Sequence, residues 1–223
     1  EVFRGVLREG GLEMSAAGTL FGGKRFWCTA RIGEASPVSV RDRVGSFLLG
    51  TSSLDGSLKT SFRRCATRAV CNNTVRMAFA EGPAELTISH RSHFVADDVR
   101  DFMKLNTAAW DAFRHNMVQL ANKPVHEEEA AIVVQGLFQT GAKDADKVRE
   151  SHGYKTVLDL FNGAAKGSDL DGVRDTAWGL LNAVTEYADH HVRAHSDENR
   201  LVSAQWGAGA SLKSRALDAL LAL

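Results

Sequence analysis

Residues 55–74 read Asp-Gly-Ser-Leu-Lys-Thr-Ser-Phe-Arg-Arg-Cys-Ala-Thr-Arg-Ala-Val-Cys-Asn-Asn-Thr, with Arg76 just beyond. Lys59, Arg63, Arg64, Arg68 and Arg76 crowd this region, and no acid falls between Asp55 and Glu81. Cations interleaved with small polar groups suit an anion, and phosphate is the commonest candidate. A second group lies upstream, where Arg25, Trp27 and Arg31 alternate with Phe26, Cys28 and Ala30. Alternate residues of a strand share a face. One face of that strand therefore offers cations for phosphates and a ring for a base, the pairing that single-strand binders use. Lys59 and Arg63 project together from another strand in the same way. The competing structural reading lays Trp27 over Gly18 across a hairpin. On a helix, Arg64, Arg68, Asn72 and Arg76 form a stripe at four-residue spacing that can follow a phosphate backbone. The competing reading there is a solvated face, or arginines paired with acids elsewhere.

Other chemistries find less support. His191 and His195 lie four apart, as two metal ligands on one helix face require, and Asp197 or Glu198 could complete the set. No HExxH glutamate sits between them, and the adjacent His190 and His191 cannot both face one site. The alternative is a polar helix end, where the dipole favours histidine. Cys71 and His90 could form a nucleophilic dyad, but no spacing singles them out. Walker, GxSxG and GxGxxG motifs are lacking. The expectation is a protein without enzymatic activity and without a cofactor.

The elements that must hold these residues follow from patterning. Met14 to Phe21 and Lys24 to Ile32 read as strands around the Gly22-Gly23 turn, pairing Leu20 with Arg25, Thr19 with Phe26 and Gly18 with Trp27. Phe21, Phe26, Cys28 and Ala30 then face the core. Asp42 to Thr51 is a third strand. After the Asp55-Gly56 turn, Leu58, Thr60 and Phe62 alternate with Lys59, Ser61 and Arg63, as in a half-buried strand. Residues 64–80 are read as a helix with Thr67, Cys71, Val75 and Phe79 as its apolar seam. The alternative continues the strand to Cys71, with Asn72 or Asn73 capping a shorter helix. Ala84 to His90 is a short strand. Helices are expected over Asp97–Asn122, Glu127–Gln139, Tyr154–Phe161, Arg174–His191 and Ser211–Leu223. Gly163 to Gly172 is a Gly/Asp-rich loop, expected to be the most flexible element. The fold class is α+β: an N-terminal antiparallel sheet with hairpins and one packed helix, then a mostly helical half.

Composition frames this. The 223 residues carry 27 basic and 27 acidic side chains, so the net charge is zero. Residues 1–95 hold 13 Lys+Arg and 8 Asp+Glu, and residues 96–223 hold 14 and 19. The division is thus a basic β-rich region, 1–95, and an acidic helical region, 96–223, expected to form one compact domain. Such a split suits an anion-facing surface, or subunits that meet head to tail. Three cysteines, Cys28, Cys65 and Cys71, are too few and too unevenly spaced for a disulfide framework and read as buried thiols in a reducing cytoplasm. No apolar run suggests a membrane span, and the chain opens on Glu1 rather than Met, as a trimmed start would.

The block Asp55-Gly56 … Thr67-Arg68-Ala69-Val70-Cys71-Asn72-Asn73-Thr74 resembles the signature of a phage- and plasmid-borne family, the phage/plasmid-like conserved domain of unknown function 932. Four further places are similar: Gly23-Lys24-Arg25-Phe26-Trp27, His90, Thr176 through Tyr187, and Trp206-Gly207-Ala-Gly209 with Leu212-Lys213. Ala69 stands where the family usually has a larger aliphatic residue, and its members usually carry more chain before the position of Glu1. The resemblance implies mobile-element genomes and cytoplasmic action, and assigns no reaction. Such elements need proteins that handle single-stranded DNA. The leading expectation is a single-stranded DNA-binding protein, with annealing along a homo-oligomer as its extension. Arg25, Arg31, Lys59, Arg63, Arg64, Arg68 and Arg76 would meet phosphates, Trp27 a base, and Asn72 and Asn73 would donate hydrogen bonds. Two alternatives are a host-directed anti-defence protein and a metal-dependent hydrolase using His191 and His195.

Overall fold

The computed structural model describes residues 2–68, 74–76, 85–89, 96–139 and 144–223. The fold is α+β, as the patterning indicates. Among the described residues, helix α1 (Val2–Glu9) precedes strands β1 (Met14–Leu20), β2 (Arg25–Pro37), β3 (Arg43–Ser53), β4 (Thr60–Arg68), β5 (Thr74–Arg76) and β6 (Glu85–Ile88). Helices α2 (Ala96–Ala121), α3 (Glu127–Phe138), α4 (Ala145–Arg149), α5 (His152–Asp159), α6 (Ala177–Glu186), α7 (Asp197–Trp206) and α8 (Ala208–Ala222) follow. The strands form a six-stranded sheet in the order β1-β2-β3-β4-β5, with β6 also pairing β4. Contacts divide the chain into two units, each drawn from separated segments. Unit 1 comprises Glu1–Ala35, Gly45–Thr67 and Met77–Phe113; unit 2 comprises Ser36–Val44, Arg68–Arg76 and Arg114–Leu223.

In unit 1 the first hairpin has the expected register, with Leu20 opposite Arg25, Thr19 opposite Phe26 and Gly18 opposite Trp27. Its turn needs left-handed backbone at Gly22 (φ 66°) and Gly23 (φ 88°), which glycine adopts without a Cβ penalty. Phe21 leaves the strand instead of extending it; it too has positive φ, 54°. Cys28 and Ala30 are buried on the core face, and burial raises the Cys28 thiol pKa above its ordinary value. Cys65 is likewise a buried free thiol.

The sheet is covered by a helix that the patterning did not signal. Val6 and Leu7 of α1 join Ala30, Leu48, Phe62 and Phe102 in one apolar cluster, and Phe3 meets Phe62 edge-on at 5.3 Å between ring centres. The spacing of Phe3, Val6 and Leu7 places them on one helix face. The helix ends at Gly10–Gly11, where Gly10 N–H returns to Val6 O, Leu12 N–H returns to Leu7 O, and Gly11 takes φ 62°.

Two readings of residues 58–80 are corrected. Strand β4 is not half-buried: Ser61 and Arg63 are as hidden as Thr60 and Phe62, because the strand has neighbours on both edges and cover on both faces. Its hydroxyls are matched across the ladder, Ser61 with Thr51 at 3.1 Å and Thr60 with Ser52 at 2.8 Å. Nor does a helix begin at Arg64. Residues 64–68 continue β4, and Thr74–Arg76 form another strand, so Arg64, Arg68 and Arg76 cannot make a helical stripe. Pairing with two neighbouring strands overrides the i, i+4 pattern. Asn72, Asn73, Cys71 and His90 lie outside the described residues.

Unit 2 is helical around α6, all ten of whose residues are buried. A helix covered on every side belongs in a core. It starts at Ala177, later than expected, because Asp175 takes φ 53° and Thr176 caps it, its Oγ1 accepting from Gly179 N–H at 3.1 Å. Helix α7 was missed; Ser196 caps it by accepting from Asn199 N–H. Helices α5 and α6 both finish in a wide turn. Ala165 N–H reaches Leu160 O at 3.2 Å, and Val192 N–H reaches Tyr187 O at 3.0 Å, each an i to i+5 closure.

Candidate functional site

The cations singled out in the sequence separate into two populations. The first lies on the hairpin end of unit 1. Arg25, Trp27 and Arg31 occupy alternate positions of β2; Arg25 and Trp27 are half-buried and Arg31 is exposed. The Trp27 indole lies over Gly18, whose absent Cβ would sit 2.9 Å from the ring. The covering role proposed for Trp27 is therefore real, and it leaves the ring partly accessible. The Arg25 guanidinium stands 5.1 Å from the centre of the Phe21 ring and donates to Ser57 Oγ at 3.3 Å. Ser57 belongs to the Asp55-Gly56 turn, where its N–H donates to Asp55 Oδ1 at 3.0 Å; that bonding holds the exposed Asp55 carboxyl below its ordinary pKa. Lys59 follows this turn and is exposed. Arg31 sits 3.6 Å from Glu34 in an exposed ion pair, which water screens.

The second population is buried. Arg63, opposite Glu85 in the β4–β6 ladder, is 3% exposed, Arg64 is 3% and Arg68 is 2%. Arg64 donates to Ser46 Oγ at 2.6 Å, and its guanidinium lies 5.3 Å from the centre of the Trp110 ring. Burial pulls its pKa down to about 10, with the Asp111 carboxylate pulling the other way.

Arg68 is held on every nitrogen. Nε donates to both oxygens of Asp42 at 2.8 and 2.9 Å, Nη1 to Lys166 O at 3.0 Å and Nη2 to Gly167 O at 3.0 Å. Asp42 is fully buried and also accepts from Trp178 Nε1 at 2.8 Å. A planar guanidinium with donors in a fork fits two carbonyls and a carboxylate at once. Arg68 is thereby committed to the protein's interior and anchors Lys166 and Gly167 of the Gly/Asp-rich loop. Arg76 lies on β5.

The proposed metal pair is not assembled. His191 ends the turn after α6, whereas His195 precedes the Ser196 cap of α7, so the two do not share a helix face. No group of three His, Cys, Asp or Glu side chains suited to a metal occurs among the described residues.

Two clefts stand beside these residues. In unit 1, a cleft of about 610 Å³ is bounded by Phe3, Met14, Phe26, Trp27, Leu54 and Thr60 among others. In unit 2, a cleft of about 480 Å³ has the buried Glu186 in its lining, with Asp159, His190 and His191. Glu186 went unnoticed in the sequence, although it falls in the Thr176–Tyr187 segment; one acid in an apolar helix was its only signal.

The architecture is that of an α+β protein with a basic-aromatic hairpin and a polar cluster closed around Asp42. The chain belongs to the family described as Domain of unknown function (DUF932), whose model matches residues 1–206. No curated protein and no solved structure matches it. Three features hold the segment Thr176–Tyr187 in place: the Thr176 cap, the Trp178 bond to Asp42, and Gly179, whose Cβ would fall 2.0 Å from Val173 O. No helix among the described residues is long and apolar enough to cross a membrane.

Proposed function

We propose that this protein binds single-stranded DNA without acting as an enzyme, through the hairpin end of unit 1. The observation that carries this reading is the β2 row: Arg25, Trp27 and Arg31 at alternate positions, with Arg25 bonded to the turn that precedes the exposed Lys59. The cations meet phosphates and the accessible part of the indole meets a base. Arg63, Arg64 and Arg68, included with these in the sequence reading, serve the interior in this proposal. A cytoplasmic, mobile-element setting and annealing along a homo-oligomer extend the same reading.

Fluorescence anisotropy with a labelled poly-dT oligonucleotide tests it. Binding should weaken as salt rises, because bound phosphates shed counterions. The combined Arg25→Ala, Arg31→Ala and Lys59→Ala variant changes half-buried or exposed positions and should fold. Its log–log salt slope should flatten by about 0.7 for each phosphate that the variant no longer neutralises. Unchanged affinity and slope in that variant would remove the site; no binding by the parent chain at low salt would remove the function.

A second reading, a host-directed interaction protein, draws on a different observation. Met14 and Leu54 bound the unit 1 cleft and are 49% and 77% exposed, and exposed apolar rims mark protein contacts. Loss of oligonucleotide binding, together with a host protein whose capture is abolished by Leu54→Asp, would favour it.

A further inference from the structure

The cleft of unit 2 contains a group that the nucleic-acid reading leaves unused. Glu186 is 4% exposed, yet among the described residues it receives one hydrogen-bond donor, the Lys166 N–H at 3.1 and 3.4 Å to its two oxygens. His191 Nε2 lies 3.9 Å from Oε1, beyond hydrogen-bond range. An ionised carboxylate has about four acceptor positions, and hiding it without donors is costly. The cleft beside it, about 480 Å³, also has Thr156 and Leu160 in its lining and Asp159, Lys166, His190 and His191 as its other ionisable groups.

The wide turns closing α5 and α6 form two sides of this space. The first, Leu160–Ala164, contains Gly163 at φ 122°, a conformation that a side chain would strain. The second, Tyr187–His191, begins directly after Glu186. The charges decide what fits. Two carboxylates, Asp159 and Glu186, share the lining with one lysine and two imidazoles, and carboxylate oxygens accept. An anion would have to sit against Glu186. A compact cation with several N–H donors would satisfy it.

We propose that this cleft is a binding site for a small organic cation, an alkylguanidinium or alkylammonium head, with Glu186 as its anchoring carboxylate and Asp159 as a second, exposed acceptor. The bound head replaces the donors that Glu186 lacks. The proposal is independent of DNA binding, which concerns unit 1.

The test uses the whole chain and agmatine, followed by NMR of the Lys166 and Gly167 amides and the His191 ring. Saturable shifts are expected with agmatine and not with neutral butylurea. Asp159→Asn, at an exposed position, should weaken binding about tenfold, and Glu186→Gln should abolish it. Butylamine and N-acetylarginine amide separate the sources: a response to the first indicates an amine metabolite, to the second an arginine side chain, and either supports the cation site. Equal response to butylurea, an unchanged affinity in Asp159→Asn, or no saturable shift with agmatine would overturn it. Shifts of these residues with inorganic phosphate but not with agmatine would overturn it as well. If Glu186→Gln does not fold, Asp159→Asn and the butylurea comparison decide the matter.

Discussion

Arg64 and Arg68 lie four residues apart on one strand and are equally hidden, but their surroundings give them different energetic weight. Arg68 satisfies a carboxylate and two carbonyls, and removing Asp42 would strand its charge inside. Breaking a buried pair by deleting one partner typically costs about 3–5 kcal/mol. Asp42→Ala should therefore lower stability by about that amount in urea titration. Arg68→Lys should also be clearly destabilising, because an ammonium cannot reach a carboxylate and two carbonyls in fork geometry. A denaturation midpoint within error of the parent for both variants would contradict the account. Arg64 instead sets the cost of burying its charge against its contacts with Ser46 and Trp110. Its lowered pKa of about 10 means that folded and unfolded states are both charged at neutral pH, so the penalty is fully present below 10 and is relieved as pH rises from there toward the higher unfolded value. Arg64→Met should change stability by no more than about 1 kcal/mol at pH 7, in either direction. A loss comparable with Asp42→Ala would show that the Trp110 and Ser46 contacts outweigh the desolvation.

At the scale of elements, the hairpin depends on close approach. Gly18→Ala forces its new methyl into the Trp27 ring, whose indole must shift. The expected result is a destabilisation of about 1–3 kcal/mol and a change in Trp fluorescence. A superimposable emission spectrum and an unchanged melting temperature would mean that the ring does not rest there. The hairpin was readable because two glycines and strict alternation point to one register. Helices α2, α3 and α8 were readable because their periodic apolar residues, Phe102, Phe113, Met117 and Leu120 in α2, are the buried ones. Strand β4 is legible over Thr60–Arg63, where the residues alternate, but its burial on both faces and its continuation are not. Arg64 to Arg68 fit an i, i+4 helix pattern as well, and only pairing with neighbouring strands decides for a strand. Local periodicity does not contain that pairing. The same limit hid the candidate sites. Arg68 looks like a phosphate contact until Asp42, Lys166 and Gly167 are brought to it, and Glu186 looks like an ordinary helix residue until α6 is covered on every side.

At the scale of the whole molecule, pH and salt are the informative variables. Burial raises the Tyr187 hydroxyl above its ordinary pKa, with Arg193 opposing the shift, and the ring packs edge-on to Phe138 at 5.6 Å between centres. A folded state that keeps this proton, against an unfolded state that releases it near 10, is stabilised below that pH and loses the advantage as pH rises through the folded value. Tyr187→Phe should flatten the fall of stability on the alkaline side in calorimetric scans between pH 8 and 11, while leaving neutral-pH cooperativity intact. An alkaline slope identical to the parent's would place the titrating group elsewhere. The oligonucleotide experiment belongs to this scale too, because +5 and −5 regions in a neutral chain leave association governed by local charge, which salt reveals.

The grip of Arg68 on Lys166 and Gly167 has a practical consequence for handling the protein. Composition makes residues 163–172 an inviting place for a protease to cut, yet the carbonyls on that stretch are bolted to a strand nearly a hundred positions earlier. In a chain nicked between Gly167 and Asp171 that grip keeps the new end of the first fragment in place, and the second fragment is held by the buried α6, whose Trp178 stays bonded to Asp42. The nicked protein should elute as one particle from a sizing column and fall into two fragments only in detergent.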